Sequence, residues 1–236
     1  YLEPNTHGML KTRGGRSLKP FVVAGIPAYN EEKTIAKVVL RAQRYVDRVV
    51  VCDDGSSDLT AEIAERLGAD VVRHERNMGY GAAVQSLFKR ARQLGANAMV
   101  TLDADGQHDP GDIPVLVEPV LEGKADVVIG SRFLGDAEKM NGVPGYRRLG
   151  IKVITKLSGV ASDYGVSDAQ SGFRAYGHKA LEGLNLFENG MGVSIEVLMQ
   201  AKKMGLVVVE APTECNYHGL ETSTRGPLRH GMSVVM

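Results

Sequence analysis

The chain has 236 residues, with 28 acidic side chains balanced by 28 basic ones and 43% hydrophobic residues. That length can bury one substantial core, and the balanced charge excludes nucleic-acid binding through bulk electrostatics. The two cysteines, Cys52 and Cys215, lack metal or redox spacing and fit a reducing compartment; there is no secretory signal and no run of about 18 apolar residues to cross a membrane.

Residues 1–19 are rich in Gly, Arg and Lys without apolar period and read as a flexible leader; residues 20–236 read as a single domain. Phe21–Ile26 is a buried-strand run, followed by a helix over Glu32–Tyr45 with Ile35, Val38, Val39 and Ala42 on one face. Arg48–Cys52 is the second strand, and Asp58 caps a helix over Thr60–Leu67 that Gly68 closes. Asp70–Arg73 is a third strand, Tyr80–Leu94 a helix, Ala98–Leu102 a fourth strand, Ile113–Leu121 a helix and Ala125–Ile129 a fifth strand. Apolar runs without polar alternation, each separated by a helix, predict a mostly parallel, Rossmann-like α/β sheet with helices on both faces. Further helices are expected at Arg147–Leu157, Ala180–Leu184 and Ser194–Met204, with a late strand over Leu206–Glu210. The chain has neither Gly-x-Gly-x-x-Gly after the first strand nor a P-loop.

Four of these strands stop in polar clusters: Pro27-Ala-Tyr-Asn-Glu31, Asp53-Asp-Gly-Ser-Ser-Asp58, Asp103-Ala-Asp105 and Gly130-Ser-Arg132. In an open α/β sheet the carboxyl ends of the strands are where ligands bind. Asp103 and Asp105, one residue apart and followed by Gln107 and His108, make an oxygen-rich group suited to Mg²⁺ or Mn²⁺. A capped polar loop is the alternative for each cluster alone, but four convergent clusters describe a nucleotide-diphosphate site. The glycines of Asn77-Met-Gly-Tyr-Gly81 would let a helix start close to the sheet.

These motifs, with Asn77-x-Gly-x-Gly81-x-Ala83 and Asp-Ala-Asp-Gly-Gln-His, resemble in their order the family 2 glycosyltransferases of the GT-A fold, and among them the dolichyl- or polyprenyl-phosphate sugar synthases. The resemblance runs from about Phe21 to Gly231. It implies inverting transfer of a sugar from a nucleotide diphosphate-sugar to a lipid phosphate, assisted by Mg²⁺ or Mn²⁺, at the cytoplasmic face of a membrane. Carried over by position, Pro27, Tyr29, Glu31, Cys52 and Asp54 would hold the nucleoside, and Asp103 and Ala104 would contact ribose and diphosphate. Asp105, with Asp103 and Gln107, would hold the metal, and Arg132 would reach the phosphates.

Asp168-Ala-Gln-Ser-Gly-Phe-Arg174 resembles the acceptor-loop motif of the same synthases. A phosphate acceptor is already anionic, so Asp168 is expected to orient rather than deprotonate; a loop-capping carboxylate is the alternative. Arg147, Arg174 and Arg225 are candidates for the acceptor phosphate, since guanidinium matches phosphate bidentately. Arg148, Lys152 and Lys156 share one face of the Arg147–Leu157 helix, opposite Leu149, Val153, Ile154 and Leu157, a pattern shared by membrane-surface helices and ordinary amphipathic ones. Mannose synthases of the family carry an Asp-Arg pair after the last strand; here Tyr217 stands in the Arg position, which favours a UDP-linked sugar over GDP-mannose. The rival functions are transfer to a saccharide hydroxyl and silent nucleotide-sugar binding.

Overall fold

A computed structural model of the chain describes residues 19–134 and 164–214. The expectations that rest on the leader, on the basic helix with Arg147, and on Cys215, Tyr217 and Arg225 lie outside these residues. The described strands are β1 (Val22–Ala28), β2 (Arg48–Asp53), β3 (Asp70–Arg73), β4 (Ala98–Thr101), β5 (Val127–Ser131), β6 (Arg174–Gly177) and β7 (Val208–Pro212). They form one sheet in the order β3-β2-β1-β4-β6-β5-β7. All neighbours are parallel except β6, which runs antiparallel to both β4 and β5.

The helices are α1 (Ile35–Ala42), α2 (Thr60–Arg66), α3 (Tyr80–Gln93), α4 (Ile113–Leu121), α5 (His178–Gly183) and α6 (Val193–Met204). Alternate residues of the buried strands face opposite layers. Val23, Val50 and Met99 pack with Leu87 and Phe88 of α3 and Val197 and Leu198 of α6. Val22, Ile26, Val51 and Val100 pack on the other side with Ile35 and Val39 of α1 and Ile113 and Leu116 of α4. This double covering is why β1 is apolar and buried along its whole length. The mostly parallel, doubly covered α/β sheet expected from the apolar runs is the observed fold.

Three corrections bear on the site. The fifth and last strands begin two residues later than expected, because Asp126 Oδ2 accepts the Val207 amide at 2.8 Å and fixes the start of both. β6 is an unexpected strand in the interior of the sheet, between β4 and β5, where Arg174 interrupts what would otherwise read as an apolar run. The glycines at the start of α3 make room for the backbone at 188–190 rather than for the sheet. Asn189 O accepts the Gly81 amide at 2.8 Å and the Ala82 amide at 3.3 Å, capping α3 from a segment distant in sequence. A Cβ at Gly81 would lie 2.0 Å from Glu188 O, and one at Gly79 would lie 2.4 Å from Asn189 O. Since backbone carbonyls cannot swing aside as side chains do, Gly81→Ala should destabilise the fold by about 1–3 kcal/mol, the usual cost of overpacking. At about 2–4 °C per kcal/mol, circular-dichroism melting would show a lowered midpoint, and an unchanged midpoint would refute this packing.

Candidate active site

The loops after β1 and β2 are stitched together at the carboxyl edge of the sheet. Asn30, in the left-handed region at φ 56°, accepts the Ser57 amide on its side-chain oxygen at 2.8 Å. In return the Asn30 amide donates to Ser56 Oγ at 2.9 Å, and the Glu31 amide donates to Thr60 Oγ1 at 2.7 Å. Between them Tyr29 is 46% exposed, a ring open for stacking, beside the buried Pro27. Glu31 is half-buried; burial raises its carboxyl above the usual range against a lowering hydrogen bond from Thr34, and Asp105, Asp103 and Asp58 raise it further. That influence reflects the proximity of Glu31 to Asp103 and Asp105 at the carboxyl edge, although they follow different strands.

Asp54 is an internal bracket. Its Oδ1 takes the Met78 amide at 2.9 Å and His74 Nδ1 at 2.6 Å, while Oδ2 takes the Gly79 amide at 2.8 Å. It thus fixes the loop that leads into α3, and a nucleoside can use only the acceptor capacity these donors leave. Cys52 is buried in the core beneath α3, as its apolar run implies, with Sγ 3.5 Å from His74 Nε2, so any part it has beside a nucleoside falls to its backbone rather than its thiol. Burial, then the Asp54 charge, pushes that thiol up to about 12, leaving it protonated and inert. The sequence reading passed over Asp53, a buried carboxylate at the end of β2 whose Oδ1 has no hydrogen-bond partner among the described residues. A doubled Asp at a strand end is its only sequence signal.

The third cluster follows β4. Ala104 turns into the core, while Asp103 and Asp105 stay partly accessible on either side of it. Asp105 Oδ1 accepts the Gln107 amide at 2.9 Å across Gly106, which adopts φ +75°. Burial raises the Asp103 carboxyl, while Arg132 and a hydrogen bond from Tyr80 oppose the shift. His108 stacks on Phe173 at 5.0 Å and accepts the Asp103 amide on Nδ1 at 3.3 Å. Burial pulls the His108 imidazole down to about 4, so it is neutral at neutral pH and shapes the loop rather than clamping a phosphate. The donor set of Asp103, Asp105 and Gln107 fits Mg²⁺ or Mn²⁺: it offers hard oxygens and crowds negative charge that a cation would relieve. No group of three or more His, Cys, Asp or Glu among the described residues makes a complete metal cage. Such a set suits an ion that keeps substrate phosphates and water in its shell.

Arg132, just past β5, is gripped by Asp168. Its Nε donates to Oδ2 at 2.6 Å and its Nη2 to Oδ1 at 2.7 Å, with the Arg132 amide adding a bond to Oδ2 at 3.3 Å. Asp168 is fully buried, and its own amide donates to Glu210 Oε1 at 2.9 Å. Asp168 therefore holds Arg132 in place, with both carboxylate oxygens turned to it. Arg174 is also corrected. Its buried guanidinium donates to the carbonyls of Ala169, Ser171 and Ser194 at 2.6, 2.8 and 3.0 Å, tying the 168–172 loop to the start of α6. A guanidinium committed to three interior carbonyls is not available to an acceptor phosphate.

The model of glycosyl transferase family 2 matches residues 24–184. The UDP-N-acetylglucosamine–dolichyl-phosphate N-acetylglucosaminyltransferase of Methanococcus voltae is 34% identical over 212 residues, covering 81% of this chain and 84% of its own. The polyprenol monophosphomannose synthase of Mycolicibacterium smegmatis is 33% identical over 202 residues, covering 79% of this chain and 74% of its own. Among solved structures, glucosyl-3-phosphoglycerate synthase from Mycobacterium tuberculosis, in complex with Mn²⁺, UDP and phosphoglyceric acid, has a TM-score of 0.70 at 23% identity. That likeness covers 92% of this chain and 76% of the other, and it is one of fold. With four strand-end clusters at the carboxyl edge of a GT-A sheet and a family match over most of its length, the chain belongs to glycosyl transferase family 2 and is a glycosyltransferase.

Proposed function

We propose that this glycosyltransferase moves a sugar, with inversion, from a UDP-linked donor to a dolichyl or polyprenyl phosphate at the cytoplasmic surface of a membrane. The observation that carries the phosphate acceptor is the burial of Asp168. A saccharide hydroxyl must lose a proton as it attacks, and the carboxylate in the acceptor motif is enclosed, with both oxygens on Arg132. A phosphate monoester is an anion at neutral pH and needs positioning rather than a base. The relatives named for dolichyl phosphate and polyprenol support the same acceptor class, and the name of the Methanococcus voltae relative supports a UDP-linked donor.

In this reading Tyr29 stacks on the base, with Pro27, Glu31 and Asp54 around the nucleoside, and Asp103 and the Ala104 backbone meet ribose and diphosphate. A divalent ion held by Asp105, with Asp103 and Gln107, would supply positive charge to the leaving diphosphate. Arg132, held in orientation by Asp168, adds a fixed guanidinium where that negative charge grows. Arg147 and Arg225 are proposed to meet the acceptor phosphate. No helix among the described residues is long and apolar enough to cross a membrane.

The test is a mass-spectrometric transfer assay with Mn²⁺, UDP- and GDP-sugars and a polyprenyl or dolichyl phosphate in detergent. A lipid-phosphate-sugar product is expected, made from the UDP donor. Donor consumption without a lipid product would overturn the acceptor in favour of a saccharide, and binding of UDP without turnover would mark a silent protein.

A further inference from the structure

Tyr80 lies outside every role assigned above, yet its hydroxyl and both Asp103 carboxylate oxygens crowd the same point beside Gly172. Its backbone is pinned from both sides. Asp54 holds the amides of Met78 and Gly79, and Asn189 O holds those of Gly81 and Ala82. The contact is packed closed by Gly172: a Cβ there would lie 2.7 Å from the Tyr80 hydroxyl and 2.8 and 3.1 Å from the two Asp103 oxygens. Behind it is a cavity of about 10 Å³, lined by Tyr80, Thr101, Ser171, Arg174 and Tyr176 among others, about the room one bridging water needs.

We propose that Tyr80 is the positioning residue for Asp103, its hydroxyl holding that carboxylate in the orientation that receives the metal-bound nucleotide diphosphate. A phenol is protonated at neutral pH, so the hydroxyl is the donor of the pair and the carboxylate the acceptor. A donor on the outer side of a ligating carboxylate fixes which lone pairs face the ion, as hydrogen-bonded outer partners do in metal sites generally. The residue thereby joins the two halves of the donor cleft: Asp54 on the nucleoside side fixes the loop, and the next residue of that loop aims Asp103 on the diphosphate side.

The inference rests on the donor-site reading, and the experiment separates the two. Binding of Mn²⁺ with UDP is measured by calorimetry and Mn²⁺ paramagnetic resonance on wild type, Tyr80→Phe, Asp103→Ala and the double variant. Loss of an outer-shell partner costs about 10–100-fold in metal affinity or activity, so Tyr80→Phe should weaken Mn²⁺–UDP by that amount. It should do nothing further in the Asp103→Ala background, because the two act as one unit. Wild-type affinity in Tyr80→Phe, or equal losses in both backgrounds, would overturn the role of Tyr80. Should Tyr80→Phe misfold, Gly172→Ala, which wedges a methyl into the same junction, must weaken Mn²⁺–UDP, and unchanged affinity there would equally overturn it. If wild type binds no Mn²⁺–UDP and Asp103→Ala changes nothing, the donor-site reading itself falls.

Discussion

Asp105→Ala is expected to reduce sugar transfer by about 10³-fold, the upper range for removing one group that stabilises charge in a transition state. The carboxylate stands in a short, partly accessible turn after β4, where its Oδ1 accepts the Gln107 amide at 2.9 Å. A partly accessible turn residue contributes little to the core, so the melting curve should move far less than activity falls. Steady-state transfer assays across a Mn²⁺ titration, run beside thermal melts, make the comparison. Retained transfer with an unchanged dependence on Mn²⁺ would remove Asp105 from the metal set.

Asp168→Ala is expected to act in the opposite proportion, striking the fold first. Arg132 is 17% exposed and Asp168 fully enclosed, and removing one partner of a buried ion pair typically costs about 3–5 kcal/mol because the other charge is left without compensation. At about 2–4 °C per kcal/mol, the midpoint should fall by roughly 6–20 °C. Replacing both residues, Arg132→Met with Asp168→Leu, should restore much of the stability, since an apolar pair avoids the desolvation cost, yet transfer should stay lost. An unaltered midpoint in Asp168→Ala would refute the buried pair, and full activity in the apolar double variant would take Arg132 out of the chemistry.

Much of the architecture was legible because a parallel sheet covered on both faces writes itself as short apolar runs. The runs at Arg48–Cys52, Asp70–Arg73 and Ala98–Leu102 all form strands within one residue of their expected ends. β6 escaped because Arg174 looks like a surface charge; only the carbonyls of Ala169, Ser171 and Ser194 make its burial tolerable, and their convergence is a product of the fold. The clustering of Glu31, Asp103 and Asp105 at one edge followed from strand polarity alone. Pairings across long separations did not: Arg132 and Asp168 lie 36 positions apart, and nothing in either segment names the other. The burial of Cys52 was legible in its apolar run, and strand alternation places its side chain on the α3 face.

The placement of β6 also has a consequence for how the chain must be made. β5 finds its neighbours only in β6 and β7, both of which follow it in the chain. During synthesis β4 and β5 therefore emerge with open hydrogen-bonding edges, and they stay open until residues 174–177 and 208–212 have left the ribosome. Unpaired apolar edges are templates for association with other chains, and non-local pairings close slowly. The interval between translating β5 and β7 is the period in which nascent chains are most exposed to aggregation, and truncations ending within it should accumulate in inclusion bodies rather than fold.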